Sequence, residues 1–581
     1  MTDSHTYDQK VKIKARRLAL RRAVKLVTSH RDACAIVPAD HVRNLWRSKG
    51  ASGPYDAAAV SAVRKKDVRN WEGYRRDAIG RRKPGEITVA YLAGPEPEND
   101  LDELLRLGVR PENIWAFESH PKDAKLGHER LADRAIRGVK FLQIDIEDFF
   151  VGSSRRFDII YIDACTSLPK GSQLLVTLFE QAALAPLGVL VTNFSKPDVT
   201  NVVSMERHLH AIAAYLFGKS FLDLKEGGTT DGAAAHSYVM SSAEIMPAQD
   251  EDDGQQWEDR LFQEVVREDF AHYYGSFVTR HIMDIATLIA PMVRLARTRF
   301  WAQLSSASIA EAAARGRSML RWPKDIDEGE GAELGADEDA DTGHGSELAK
   351  GGEAIDGDGT HSLLHAFDMC GAYGPPEGHD PLPDGFQSFI DKWMKQLRGI
   401  VPVKIDGKVD GKITGADLAA AYYGLRADPD LQSETLRRAT DYPFRKNMAF
   451  LCDVPNSDIG FFPAIAQLAH PSHCNVREVR RYRYTAKTME MFLDVLPFDE
   501  CRYVYDWQSV FSLMPGDWSD PSDQLIFRFA IDAIAKSSRW YQNDFLHGCH
   551  SIGTDYNGFP AADLKRRKNL SRKLGWNRRS H

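Results

Sequence analysis

The chain is poor in cysteine and has no arrangement of cysteines that would make a framework: there are seven in 581 residues, an odd number without regular spacing and without a CxxC pair. In a chain long enough to build a real core, that pattern fits reduced thiols and argues against a disulfide scaffold. Long hydrophobic runs are lacking too. The longest, near Ile282 to Leu295, is broken by Asp284 and Pro291 and is too short to cross a bilayer, so no membrane span is expected. No apolar leader stands at the amino terminus, where Lys10, Lys12, Lys14, Arg16 and Arg17 open a basic helix instead. The expectation is a cytoplasmic protein with no membrane partner.

What is present suits folding. Hydrophobic residues make up 43% and charged residues 27%, close to a globular average, which excludes a wholly disordered chain. The length calls for two or three domains. The net charge of -7 hides an asymmetry. Met1 to Ala90 carries 21 Lys or Arg against 9 Asp or Glu, Asp563 to His581 carries eight Lys or Arg and one Asp, and Asp325 to Thr360 carries 13 acids and only Lys350.

These shifts suggest five segments: a basic helical extension over 1–85, an α/β domain over 86–247, a helical segment over 255–323, an acidic disordered linker over 325–360, and a separate mixed α+β domain with a basic tail over 361–581. The linker combines glycine and acids with almost no large apolar residues, too little to offset chain entropy. In the α/β domain, Ile87 to Leu92 is an almost continuous apolar run of the kind a strand buried on both faces needs. Strands and helices then alternate at short intervals: strands at Asn113–Glu118, Val139–Ile144, Phe157–Ile162 and Gly188–Asn193, with helices between them. That is the pattern of βαβ units with helices on both faces of a parallel sheet. Two further strands are expected at Ser220–Leu224 and His236–Ile245, forming a terminal hairpin.

Five positions fall where successive strands end, which is where open α/β sheets bind ligands. They are Gly94 with Glu96 in the loop Ala93–Asp100, Glu118, Asp145, Asp163, and Asn193 with Ser195. Singly, a lone acid at such a place is more often a helix cap or a solvated carboxylate. Together, three acids in register with a glycine loop resemble the site of the class I, Rossmann-like S-adenosylmethionine-dependent methyltransferases. The resemblance covers about 160 residues, and the loop keeps one glycine where the family usually has more. It implies an α/β fold with a Rossmann-like methyltransferase sheet, and S-adenosylmethionine held by Gly94, Glu96, Glu118, Asp145 and Ile146. Glu118 would then face the ribose hydroxyls, and Asp145 the adenine amino group.

Methyl transfer is an in-line displacement in which the protein mainly positions two partners and guides one proton. Asp163 is the candidate for orienting the acceptor, and Cys165 is a candidate nucleophile whose plain alternative is an inert core thiol. The sequence Asp163-Ala164-Cys165 matches neither the acid-or-amide, proline, proline, aromatic loop of amino-group methyltransferases nor the proline-cysteine pair of cytosine-carbon enzymes. The basic helices and the tail, with Trp576 among its cations, suit a nucleic acid by neutralising phosphates and stacking a base. A solvated helix face, or a protein partner, is the alternative.

Two metal-like signals are discounted. Asp406 to Asp417 has calcium-loop spacing, but Lys408 stands where a ligand oxygen belongs, and a tight turn at Asp410-Gly411 before a helix from Leu418 to Leu425 explains it better. His470, His473 and Cys474, with His547, Cys549 and His550, are zinc-ligand types without paired spacing, so no metal is expected. Three readings stay open: a methyltransferase acting on RNA or DNA, a catalytically silent scaffold of the same fold, and a nucleotide- or NAD-using enzyme.

Overall fold

The computed structural model describes residues 10–48, 60, 63–134, 136–164, 166–168, 171–216, 220–222, 239–241, 245, 255–320, 401–405, 408–413, 417, 420–422, 424–425, 428–440, 464–486, 488–506, 526, 529–531 and 533–534. Its centre is a mixed sheet. Strands β1 (Val89–Leu92), β2 (Ile114–Phe117), β3 (Lys140–Leu142), β4 (Phe157–Asp163) and β5 (Leu184–Ser195) are parallel to one another in the order β3-β2-β1-β4-β5. Their sequences, such as Val-Ala-Tyr-Leu and Phe-Asp-Ile-Ile-Tyr-Ile-Asp, lack polar alternation because both faces are covered.

The face assignments follow from the pleat. Val89, Tyr91, Ile159, Tyr161, Val189 and Val191 pack under α1 (Lys10–Val27), with α2 (Lys65–Ile79), α3 (Glu98–Arg106) and α4 (Pro121–Asp133) in the same core. Ala90, Ile160, Ile162, Leu190 and Phe194 face the other core, shared with α5 (Ile146–Gly152), α6 (Ser172–Glu180), α7 (Val202–Leu216) and α8 (Phe270–Asp284). The first helix is therefore no appendage. Its Ala15, Ala19, Leu20 and Ala23 are fully buried, and the small alanines let it lie close against β4, β5 and the strands beyond.

The expected hairpin forms between the two expected segments, but it stands apart from the main sheet. Among the described residues, β6 (Ser220–Leu222) and β7 (Val239–Ser241) pair only with each other. The hairpin that extends the main sheet is β11 (Arg480–Ala486) with β12 (Met489–Asp499), and β12 runs antiparallel along β5 from Met491↔Ser195 to Asp499↔Leu187. A short β10 (His473–Cys474) pairs the far end of β12. Residues 473–499 thus belong to the same sheet as β1–β5, and the segment after residue 361 is not a separate unit over this stretch. The physical reason is the ladder itself: β5 has an open edge, and Met489–Asp499 is apolar enough to be buried on both faces, with nine of its eleven residues in the core.

A buried ion pair fixes this hairpin. Arg481, 4% exposed, forks onto fully buried Asp494 at 2.7 and 2.9 Å, and donates to the Gly275 carbonyl of α8 at 2.6 Å. At the opposite end of β4, Glu500 binds Arg156 at 3.0 Å and His470 at 3.2 Å. Within the stretch with calcium-loop spacing, Lys408–Ile413 forms β9, which pairs with the preceding β8 (Val401–Ile405), so Asp410 and Gly411 sit inside a strand, not at the turn. The acidic linker, the basic tail and His547, Cys549 and His550 lie outside the described residues. No helix among the described residues is long and apolar enough to cross a membrane.

Candidate functional site

The order β3-β2-β1-β4-β5 reverses direction between β1 and β4, so the chain leaves the carboxyl ends of these two strands toward opposite faces. A crevice opens at such a switch point. Along it, Leu92, Phe117 and Leu142 are paired neighbours, which brings the loops after β1, β2 and β3 to one edge.

At that edge Gly94 adopts a φ of +60°, and a side chain built on it would meet nothing within 4 Å. The glycine thus serves both a left-handed turn and an open approach to the backbone. Glu118 accepts one hydrogen bond, from the backbone N–H of His120 at 2.7 Å. Asp145 is exposed and caps α5, accepting from the N–H of Glu147 at 2.8 Å. Each carboxylate keeps acceptor capacity beyond its single local bond. Glu96 is tied inward, accepting from Asn99 at 2.9 Å and pairing with Arg130 at 3.3 Å. Ile146 is a core residue, 3% exposed among Phe150 and its neighbours, whereas Ile144 is the solvent-facing aliphatic at this edge, 37% exposed. The open edge therefore brings together Gly94, Glu118 and Asp145, and holds Glu96 and Ile146 in structural roles.

On the β4 side the geometry is closed. Asp163 pairs with Asn193 across adjacent strands, and the Asn193 amide donates to Asp163 Oδ1 and to the Tyr484 hydroxyl, both at 2.8 Å. Lys12 of α1 brings its ammonium to 3.0 Å from Asp163 Oδ2. One helical turn on, Arg16 pairs at 2.7 Å with Asp100 in the first turn of α3. Lys12, Arg16, Asp100 and Asn193 are all buried, and Asn193 Oδ1 has no hydrogen-bond partner among the described residues. Burial raises the Asp100 carboxyl to about 6, against the pull of Arg16 and Lys12, and Asp163 adds to the rise. Burial works most strongly against the Arg16 charge, but Asp100, Tyr161, Asp163 and Tyr484 together outweigh it and hold the guanidinium above its ordinary range. The pair is charged at neutral pH. Beside it, burial pushes the Tyr91 and Tyr161 hydroxyls well above their usual values, so both stay neutral, and Tyr91 donates to the Pro97 carbonyl at 2.9 Å.

Sequence reasoning found Asp163 and Asn193 but missed Lys12, Arg16, Asp100 and Tyr484. The signal for the first two was the 12, 15, 16, 19, 23 spacing, which puts two cations on the small-residue stripe that seats the helix. Cys165 lies outside the described residues. His473 is fully buried, with Nε2 at 2.9 Å from the Tyr505 hydroxyl, and no group of residues among those described could hold a metal ion. Compared with protein-family models, with curated proteins and with solved structures, the chain gives no match.

Proposed function

We propose that the chain is an S-adenosylmethionine-dependent methyltransferase that acts on nucleic acid. The observation that carries this reading is the meeting of Gly94, Glu118 and Asp145 at one carboxyl edge of a 3-2-1-4-5 parallel sheet whose outer strand is followed by a reversed hairpin. A parallel sheet in this order binds nucleotides at that edge, and the added hairpin favours the methyltransferase form over the NAD form. The residues fit the donor: open space over Gly94 admits it, and the spare acceptor capacity of Glu118 and Asp145 suits ribose hydroxyls and an adenine amino group. The donor supplies an electrophilic methyl group; the chain's residues bind and orient.

Nucleic acid is favoured as the substrate by α1, which contains no acid. Lys10, Lys14, Arg17, Arg21 and Lys25 line its exposed side at helical spacing, with Ile13 and Leu18 between them in a shallow groove of about 460 Å³. Such a row suits a phosphate backbone. A second reading, a scaffold that has lost catalysis, is favoured by the Lys12–Asp163 pair, which engages the candidate orienting acid.

Isothermal titration with S-adenosylmethionine tests the proposal. The wild-type chain binds, and Glu118→Ala and Asp145→Ala each weaken binding about 10–100-fold, as expected for a hydrogen bond to a charged group of about 1.5–3 kcal/mol. Absence of binding by the intact chain rejects the donor site. For the partner, Lys14→Glu with Arg21→Glu lowers the affinity for labelled duplex RNA or DNA and flattens its salt dependence; an unchanged salt slope rejects α1 as the contact.

A further inference from the structure

Two buried acids flank the switch point, Asp100 after β1 and Asp163 at the end of β4, and the same helix neutralises both. Lys12 and Arg16 are four residues apart on α1, so one rigid element delivers an ammonium to 3.0 Å from Asp163 and a guanidinium to 2.7 Å from Asp100. Around the ammonium Asp163 favours a nitrogen donor: its Oδ2 faces Lys12, and its Oδ1 accepts from the buried Asn193 amide at 2.8 Å, which holds the carboxylate in place. Buried carboxylates without a cation are costly, so this crevice holds a positive charge from some source.

We propose that Asp100 and Asp163, the latter held by Asn193, form a binding subsite for a cationic nitrogen, an alkylammonium or guanidinium group, and that Lys12 and Arg16 of the chain's own first helix occupy it in the state described. A ligand bearing such a group enters by displacing the first turns of α1. The subsite rests on the geometry of the two ion pairs and not on the methyltransferase reading. If that reading holds, the cation belongs either to the amino-acid end of the methyl donor or to an amine on the acceptor.

Hydrogen exchange on the full-length wild-type chain, followed in peptides covering residues 10–20 and, as a control, the helix Phe270–Asp284, separates these sources. The probes are S-adenosylmethionine, methylthioadenosine, which lacks the amino-acid end, and n-butylammonium chloride against equal concentrations of sodium chloride and butanol. If the donor supplies the cation, S-adenosylmethionine speeds exchange in residues 10–20 severalfold and methylthioadenosine does not. If the acceptor supplies it, butylammonium speeds exchange there beyond both controls, whether or not S-adenosylmethionine binds, and Lys12→Met lowers the concentration needed about tenfold. No change at residues 10–20 with any probe, or an equal change in the control helix, overturns the proposal. Failure of S-adenosylmethionine to bind by titration counts against the proposed function alone, because the butylammonium arm still decides the subsite.

Discussion

Replacing Arg481 by Met tests whether the late hairpin is part of the same cooperative unit as the parallel strands. Arg481 and Asp494 are 4% and 0% exposed, and the pair is bidentate, at 2.7 and 2.9 Å. Removing the guanidinium strands a carboxylate in the core with, among the described residues, only the Thr279 hydroxyl, at 2.7 Å, as partner. Breaking one side of a buried pair typically costs about 3–5 kcal/mol. In a unit of this size that lowers the melting temperature by roughly 6–20 °C. Because β12 pairs with β5 from Met491 to Asp499, the loss spreads: in urea, amides of Phe157–Asp163 in β4 lose protection together with those of Met489–Asp499. The double variant Arg481→Met, Asp494→Leu recovers most of the loss, since an apolar pair of similar volume avoids the desolvation cost. A single-variant loss below about 1 kcal/mol, or one confined to the hairpin while β4 keeps its protection, would refute the reasoning.

Other outcomes follow from the same packing. Gly316→Ala places a methyl carbon 1.8 Å from the Ala420 carbonyl oxygen, so the helix Ile309–Leu320 must separate from the segment around Ala420; a loss of about 1–3 kcal/mol in urea midpoints is expected, and a neutral effect would contradict that contact. Burial pushes the Glu500 carboxyl up, but the His470 hydrogen bond and Arg156 outweigh it and hold it below the ordinary glutamate range. A depressed acid contributes stability that is present above its unfolded value, about 4.3, and lost as the pH falls through the folded value. Wild type therefore loses more stability than Glu500→Gln between pH 6 and about pH 3.5, and equal losses in the two proteins would show that Glu500 is not held in this way.

The parallel half of the fold was legible because each strand is built on a short apolar run, and because helices 7 to 13 residues long separate them. The reversed hairpin was not. Its place in sequence was filled by Ser220–Leu222 and Val239–Ser241, which have the right length and pair with each other, while the true partner of β5 lies 294 positions beyond the end of β5. Strand pairing over such a separation leaves no local trace in composition. At the site, the strand-end acids could be read from register alone, and Glu118 and Asp145 do sit at one edge. Ile146 could not be told from Ile144, since only the start of α5 turns one inward and leaves the other exposed. The clasp of Lys12 and Arg16 was hidden for another reason: a basic helix reads as a solvated one, and the buried acids it meets come from distant segments.

Photolabelling with an 8-azidoadenosyl analogue of S-adenosylmethionine tests most directly the central claim that a nucleoside cofactor lies over the carboxyl ends of β1, β2 and β3. Label, competed by S-adenosylmethionine, is expected in the peptides around Glu118–Pro121 and Gln143–Phe149. Competed label confined to other segments, or label that S-adenosylmethionine fails to displace, would contradict it.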